Sequence, residues 1–495
     1  MRASNAGRHT ARLRRTPLLP VYVLGAIAAC LVGALPLVGE PSREATIATL
    51  SGVLVAAIAF AGRGDVTRPH VALPLVWFTA VTVAQLKLLN YETEWTTETT
   101  LLVFGGPLVF AVAGAAGSGR AIRPPCLAGV NELRPSRLRT AAIVLLVAGI
   151  GGMALKVGRL GGVPLLADQI DQLRSVGGVK IPAYITFLTD CFFLSAWAAM
   201  LSFAVTGSLG GRLMDASLAL LGLTGVAFSA SRNNLLLALL VPVVFLYLTG
   251  ATRTLTGWRA VGIAGVGICV MTIASGLFYL RTEQHKEAQF ESYFYADVVQ
   301  STTPALRPLL PVYVGLATPL ETLNRVVQAF PDRSLDVGTY SVPGIPPQIS
   351  PVGPRSDIYV VTGGLSRPYY FNVATYQGAF YADGGAWLVL TASAVLGLST
   401  GLIRRKLLAR NSVGALGVLA YLTYVVVFLF YEDLAGFYTL SVAWDVLIII
   451  AVVRFVRAAP EPRRAIVPPA GGVVGSDRRF LEGERQWSSG GLRAG

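Results

Sequence analysis

Apolar runs of about 20 residues, separated by short polar segments, dominate the chain. A helix needs about 20 apolar residues to cross roughly 30 Å of hydrocarbon. Twelve runs are long enough, and they predict membrane-spanning helices near residues 17–39, 45–62, 70–89, 99–118, 139–157, 182–206, 212–229, 233–250, 259–280, 385–403, 413–431 and 437–456. The pattern therefore predicts an all-α, polytopic integral membrane protein with a transmembrane domain over residues 17–457.

The composition narrows the class of protein further. Of the 495 residues, 53% are hydrophobic and only 14% are charged, whereas soluble globular domains contain about 25% charged residues. A single water-soluble enzyme and a disordered chain are thus excluded. The four cysteines offer no CxxC pair, so the sequence predicts neither a disulfide framework nor a CxxC metal site. We also expect no cofactor.

The net charge of +14 is explained by the orientation of the chain in the membrane. Lys and Arg are retained in short cytoplasmic loops. With the N-terminus inside, only Arg43 and Arg232 fall in short outer loops, and the short inner loops carry fourteen basic residues: Arg63, Arg68, Arg120, Arg123, Arg134, Arg137, Arg139, Arg212, Arg253, Arg259, Arg404, Arg405, Lys406 and Arg410. We therefore expect a multi-pass membrane protein with both termini in the cytoplasm, a basic N-terminus (1–16) and a disordered tail (458–495). No nucleic-acid partner is needed.

Two outer segments are long. Residues 158–181 have apolar positions at helical spacing and predict an amphipathic helix on the outer membrane surface. Residues 281–384 form a large extracytoplasmic loop, and loops of this length are usually functional or disordered. Within it, residues 309–330 are apolar but interrupted by prolines and by Glu321, which favours a re-entrant or interfacial helix over a thirteenth span.

Several polar residues stand out near the outer face. Arg232 lies in a tight turn between two spans, where a guanidinium group can bind a diphosphate bidentately; a surface arginine that snorkels is the alternative. Asp190 and Asp445 lie inside spans, about 12 Å below the outer end of each helix. A charge there costs about 2.5 to 3.5 kcal/mol, so both carboxylates should face a polar cavity or an arginine, unless each makes its own interhelical hydrogen bond. Lys87 is predicted to extend its ammonium group toward water.

Three stretches resemble one family. They are the Ser231-Arg232 turn that leads into a span, the stretch from Tyr313 to Glu321, and the Tyr-x-Asp-Gly-Gly entry to the span at 385–403, formed by residues 381–385. Together they resemble the Wzy-type polymerases of O-antigen and capsule repeat units, and the similarity covers mainly residues 150–400.

This resemblance implies a metal-independent glycosyltransferase that polymerises polyprenyl-diphosphate-linked oligosaccharide repeat units on the outer face of the cytoplasmic membrane of a bacterium. Arg232 and Arg367 would bind the diphosphate, Arg281 would be a second contact, and Asp383, or alternatively Glu321, would accept the proton of the attacking hydroxyl. Further substrate contacts are expected from Arg159, Arg174, Glu321, Tyr376, Tyr381, Asp190 and Asp445. Donor and acceptor oligosaccharides, the lipid bilayer, a flippase and a chain-length regulator would be the partners. An O-antigen-ligase-like transferase and a lipid-linked oligosaccharide flippase or transporter stay as alternatives.

Overall fold

The computed structural model describes residues 42–61, 67–119, 133–163, 181–228, 232–248, 293–302, 310–330, 364–365, 375–410, 412–431 and 438–456. Within them the regular elements are helices: α1 (Arg43–Ala61), α2 (Pro69–Ala84), α3 (Thr97–Ser118), α4 (Pro135–Leu160), α5 (Ala183–Val205), α6 (Leu209–Phe228), α7 (Arg232–Leu248), α8 (Ala296–Ser301), α9 (Leu310–Ala329), α10 (Tyr376–Arg410), α11 (Val413–Phe428) and α12 (Tyr438–Val456). The prediction of an all-α fold is confirmed for these residues. The predicted spans at 17–39 and 259–280, both terminal segments and most of the 158–181 and 281–384 segments lie outside them.

Five of the described helices, α3, α4, α5, α6 and α10, are long and apolar enough to cross a membrane. Their surfaces stay apolar where they face outward: Leu101 is 68% exposed, Val112 72% and Leu220 66%. Exposed apolar side chains are typical of a surface in contact with lipid, because exposing them to hydrocarbon costs less free energy than exposing them to water. The helices therefore indicate a membrane-embedded protein.

Local sequence signals set several helix boundaries. Pro69 and Pro135 lie in the first turns of α2 and α4, where no backbone N–H is needed. Thr96 caps α3 by accepting a hydrogen bond from the Thr99 N–H at 3.0 Å, and Ser412 caps α11 in the same way through the Ala415 N–H at 3.2 Å. Gly161 ends α4 in the left-handed conformation that is typical of helix C-termini.

Helix α10 is folded back on itself rather than straight. Its helical geometry breaks at Gly384 and Gly385, and the Tyr376 and Ser393 hydroxyls lie 2.9 Å apart although 17 residues separate them. In a straight helix that separation would be about 25 Å. Residues 376–383 thus form a short first arm that packs beside the long second arm, 386–410. The second arm agrees with the span predicted at 385–403.

Glycines allow the second arm of α10 to lie close to α3, the helix with which α10 makes its most extensive contact. A Cβ atom at Gly397 would overlap the Phe110 carbonyl oxygen, and one at Gly401 would overlap the Gly114 carbonyl oxygen. Small residues of this kind bring helix backbones together in membranes, where burial of apolar surface supplies little driving force. The first arm of α10 therefore packs against a closely packed pair formed by α3 and the second arm.

The helices enclose two hydrophobic cores. The first is formed by α2, α3, α9 and the first arm of α10 around Trp77, Phe110 and Tyr376. The second is formed by α4 to α7 with α11 and α12 around Trp197 and Phe245. Helix α11 contributes to both cores, since Leu416 and Leu419 belong to the second whereas Val426 belongs to the first.

One end of the bundle is basic. Contacts between helix termini define it: Ser118 at the end of α3 lies 3.4 Å from His70 at the start of α2, and Arg137 near the start of α4 donates to the Phe455 carbonyl near the end of α12 at 3.1 Å. Exposed basic side chains collect at these termini: Arg134, Arg212, Arg405, Lys406, Arg410 and Arg454. We term this the basic end.

Candidate functional site

The loop between α2 and α3, residues 85–96, lies at the opposite end of the bundle and packs against α9. Glu92 and Lys87 come from the loop, and Tyr313, Glu321 and Arg325 come from α9. These five residues are termed the loop–α9 cluster. The two loop residues are at least 221 positions away in sequence from the three α9 residues. Glu92 and Tyr313, which share a hydrogen bond, have that separation.

Glu92 is held by two hydrogen bonds to one of its oxygens. The Leu89 N–H donates to Oε2 at 2.9 Å, and the Tyr313 hydroxyl donates to the same atom at 2.7 Å. Tyr313 is fixed in turn by the Leu88 N–H at 3.0 Å. Oε1 accepts no hydrogen bond from the described residues. Burial raises the pKa of Glu92 to about 7, and the hydrogen bonds from Leu89 and Tyr313 and the charge of Lys87 oppose that rise.

Glu321 is the most enclosed carboxylate of the cluster. It is 1% exposed, and its Oε1 accepts hydrogen bonds from Thr93 N at 3.1 Å and Thr93 Oγ1 at 2.7 Å. Lys87 Nζ lies 3.8 Å from Oε2, and Arg325 Nε lies 3.7 Å from Oε1. Burial raises the pKa of Glu321, against the opposing effects of Lys87, Thr93 and Arg325. The residue therefore serves to tie α9 to the loop.

Lys87, whose ammonium group was predicted to extend toward water, is partly exposed and also contacts the loop. Its ammonium group donates to the Thr93 carbonyl at 2.6 Å and lies 5.2 Å from the centre of the Trp95 ring. The backbone reason is a positive φ of 49° at Lys87, which turns the chain back after α2. A cation placed there offsets the negative charge of two buried glutamates.

Arg325 and Asn324 complete the contact between α9 and the loop. Arg325 donates to the Tyr91 carbonyl at 2.7 Å, and its guanidinium group lies 4.0 Å from the centre of the Tyr91 ring. Asn324 is fully buried and accepts hydrogen bonds from Thr96 N at 3.2 Å and Thr99 Oγ1 at 2.8 Å. These bonds fix the start of α3 relative to α9.

Asp383 lies at the turn of the α10 fold-back, fully buried, at the end of the first arm and directly before Gly384. Tyr376 and Tyr381 of the same arm are also buried. The Tyr376 ring meets that of Trp77 edge to face with centroids 5.7 Å apart. Tyr376 therefore positions the first arm inside the core.

Asp190 of α5 and Asp445 of α12 come together inside the second core and are termed the aspartate pair. They are 5% and 2% exposed, and their charges are close enough to act on each other. The Tyr421 hydroxyl of α11 donates to Asp445 Oδ2 at 2.6 Å. The second oxygen of Asp445, Oδ1, is buried and makes no hydrogen bond with the described residues. Neither aspartate faces lipid.

The other candidate residues are placed only in part. Arg159 is exposed in the last turn of α4, and Arg232 is the first residue of α7. Three candidates and the side chain of Arg232 lie outside the described residues: Arg174, Arg281 and Arg367. Among the described residues, no group of three or more His, Cys, Asp or Glu side chains is arranged to hold a metal ion.

Sequence reasoning missed Glu92 and Tyr313 as members of a site. A signal was present in α9, because Glu321, Asn324 and Arg325 are spaced three and four residues apart and so share one helix face. The partner of that face was not evident, since the loop is distant in sequence. Comparison of the chain with protein-family models, with curated proteins and with solved structures gave no significant match.

Proposed function

We propose that this protein is a membrane glycosyltransferase that polymerises polyprenyl-diphosphate-linked oligosaccharide repeat units on the outer face of the bacterial cytoplasmic membrane. The observation that carries the proposal is the loop–α9 cluster, in which two buried carboxylates lie beside a partly exposed lysine and a partly exposed arginine at the end of the bundle opposite the basic end. Acid–base groups in such enclosed surroundings are typical of sites of reaction.

The orientation in this proposal follows from the positions of the basic residues. The basic end lies in the cytoplasm, because Lys and Arg are retained there, and both termini are cytoplasmic. Ten of the twelve proposed spans correspond to described helices, namely α1 to α7 and α10 to α12. The loop–α9 cluster then faces outward, on the side where completed repeat units are joined. Helix α9 is the interfacial or re-entrant segment of the outer loop.

The reaction joins two lipid-linked saccharides. A hydroxyl of the acceptor attacks the anomeric carbon of the donor, and polyprenyl diphosphate leaves. Guanidinium groups, for which we propose Arg232, Arg281 and Arg367, balance the negative charge of the leaving diphosphate. Arg159 and Arg174 contact the outer part of the substrate. An oxocarbenium-like transition state is stabilised by nearby carboxylates.

The buried acidic residues take different roles in this proposal. Asp383 holds a sugar hydroxyl at the α10 turn, together with Tyr381. Tyr376 and Glu321 act as positioning residues, since their contacts with Ser393 and Thr93 occupy them. Asp190 and Asp445, which the sequence predicts as substrate contacts, are buried in the second core and act as positioning residues in this proposal. Holding two anchored substrates in register supplies part of the acceleration.

Deleting the gene and analysing lipid-linked glycans tests the proposal. We expect single repeat units to accumulate on the outer leaflet, because supply continues while joining stops. Intact polymer that is left unattached to its final acceptor would instead indicate a ligase. Restoration of long chains by the wild-type gene, and not by an empty vector, is the control.

A transporter is the second candidate, and the aspartate pair is the observation that favours it. Ionisable residues inside the membrane are costly and often mark the path of an ion or substrate. A flippase that moves lipid-linked oligosaccharides predicts that deletion leaves repeat units on the inner leaflet. Leaflet-specific labelling of the accumulated glycan therefore separates the two functions.

A further inference from the structure

Glu92 and Glu321 each have one oxygen that accepts no hydrogen bond from the described residues, Oε1 in Glu92 and Oε2 in Glu321. Glu92 is the less enclosed of the two. Both of its hydrogen bonds go to Oε2, and they hold the carboxyl plane in a fixed direction. Its side chain is at the margin of burial, 9% exposed, whereas Glu321 is 1% exposed. Oε1 of Glu92 is thus fixed in orientation and has capacity to accept a proton.

We propose that Glu92 is the proton acceptor of the glycosyl transfer and that Tyr313 and Lys87 are positioning residues that set its proton affinity. This inference rests on the proposed function, and it differs from the sequence-based prediction, which placed the base at Asp383 or Glu321. Glu321 is unsuited to that role, because Thr93 occupies its Oε1 and its Oε2 is enclosed beside Lys87.

The step balances without any further reactant. As the acceptor oxygen forms its bond to the donor anomeric carbon, the bond from that carbon to the diphosphate oxygen breaks. Polyprenyl diphosphate leaves with the electron pair. The hydroxyl proton passes to Glu92 Oε1, and Glu92 later releases it to water. General bases work best when their pKa lies near the operating pH.

Three charged or titratable side chains act on Glu92. Lys87 belongs to its own loop, and Tyr313 and Glu321 face it from α9, while Arg325 of the same helix offsets Glu321. The hydrogen bond from Tyr313 and the charge of Lys87 both lower the pKa of Glu92. Removing either therefore raises that pKa, and a larger fraction of Glu92 is protonated, and inactive as a base, at neutral pH.

The test is the pH dependence of transfer by the full-length protein in liposomes with lipid-linked oligosaccharide as donor and acceptor. The wild-type rate should rise with pH through about 7, the pKa of Glu92. Glu92→Gln should lower the rate by about 100-fold or more and abolish this rise. Glu92→Asp should recover part of the rate. Glu94→Gln is the matched control, since Glu94 is exposed in the same loop, and it should leave the profile unchanged.

Tyr313→Phe and Lys87→Gln give a readout that a structural role alone would not produce. Each should move the rising limb to higher pH while the rate on the alkaline plateau stays within about threefold of wild type. If Glu92→Gln does not fold, these two variants decide the question. If the rising limb of the pH–rate profile stays in place or moves to lower pH in both variants, and transfer still occurs, Glu92 is not the proton acceptor. No transfer by the wild-type protein would overturn the proposed function together with this inference.

Discussion

At the residue scale, Glu92 sits where burial disfavours the charge that the proposed chemistry requires. Its pKa is about 7 in the folded protein, against an ordinary value of 4.5. Below pH 4.5 both the folded and the unfolded chain hold the proton, and above pH 7 neither does. Between these values the folded chain binds more protons, so this group makes folding less favourable as the pH rises.

Glu92→Gln should therefore stabilise the protein at pH 8 and change little at pH 4.5. The neutral amide oxygen can still accept from Leu89 and Tyr313, and the cost of burying a charge is removed. We expect a gain on the order of 2 kcal/mol at pH 8. Thermal unfolding in detergent at several pH values measures it, with Glu94→Gln as control. A variant that is less stable than wild type at pH 8 would show that the Glu92 charge is compensated in the fold.

At the element scale, the fold-back of α10 depends on one glycine. Gly385 has φ 64° and ψ −160°, a combination that is essentially restricted to glycine. Gly385→Ala should cost about 1 to 3 kcal/mol and loosen the first arm. Gly384→Ala is the control, because its φ of −164° is open to any residue, and its new Cβ would meet only the Leu388 side chain at 3.0 Å. Equal loss of thermal stability in the two variants would argue against the fold-back.

The close approach of α3 and α10 gives a second prediction. Gly401→Ala places a Cβ against the Gly114 carbonyl oxygen, and we expect a loss of about 1 to 3 kcal/mol because two backbones must separate. Gly151→Ala in α4 is the matched control, since no atom lies within 4 Å of its new Cβ, and it should be neutral or slightly stabilising. Thermal unfolding of the two proteins in detergent measures the difference, and a neutral Gly401→Ala would contradict this packing.

Elements that depend on local sequence were predictable, and their tertiary contacts were not. The runs at 70–89, 99–118 and 182–206 match α2, α3 and α5, because a hydrophobic stretch signals a buried helix without reference to the rest of the chain. The break at Gly384 and Gly385 lies where the sequence placed the start of a span. The first arm of α10 turns back toward Ser393, and Glu92 pairs with Tyr313; both contacts join residues that are distant in sequence. The periodicity of apolar residues cannot predict contacts of this kind.

At the scale of the whole molecule, the position of the basic end predicts the orientation in the membrane. In a chain whose four cysteines have been replaced, Glu98→Cys should react with a membrane-impermeant maleimide added outside intact cells, because Glu98 is exposed at the start of α3. Arg410→Cys at the end of α10 should react only after the membrane is permeabilised. The reverse pattern would place the loop–α9 cluster in the cytoplasm and remove the basis of the proposed function.

Transfer by the reconstituted protein distinguishes polymerisation from transport. Purified full-length protein in liposomes is supplied with polyprenyl-diphosphate-linked repeat units alone, and the lipid-linked products are separated by size. We expect the protein to form chains of two and more units and to release one polyprenyl diphosphate for each new glycosidic bond. Repeat units that stay single, or that only cross to the other leaflet, would contradict this expectation.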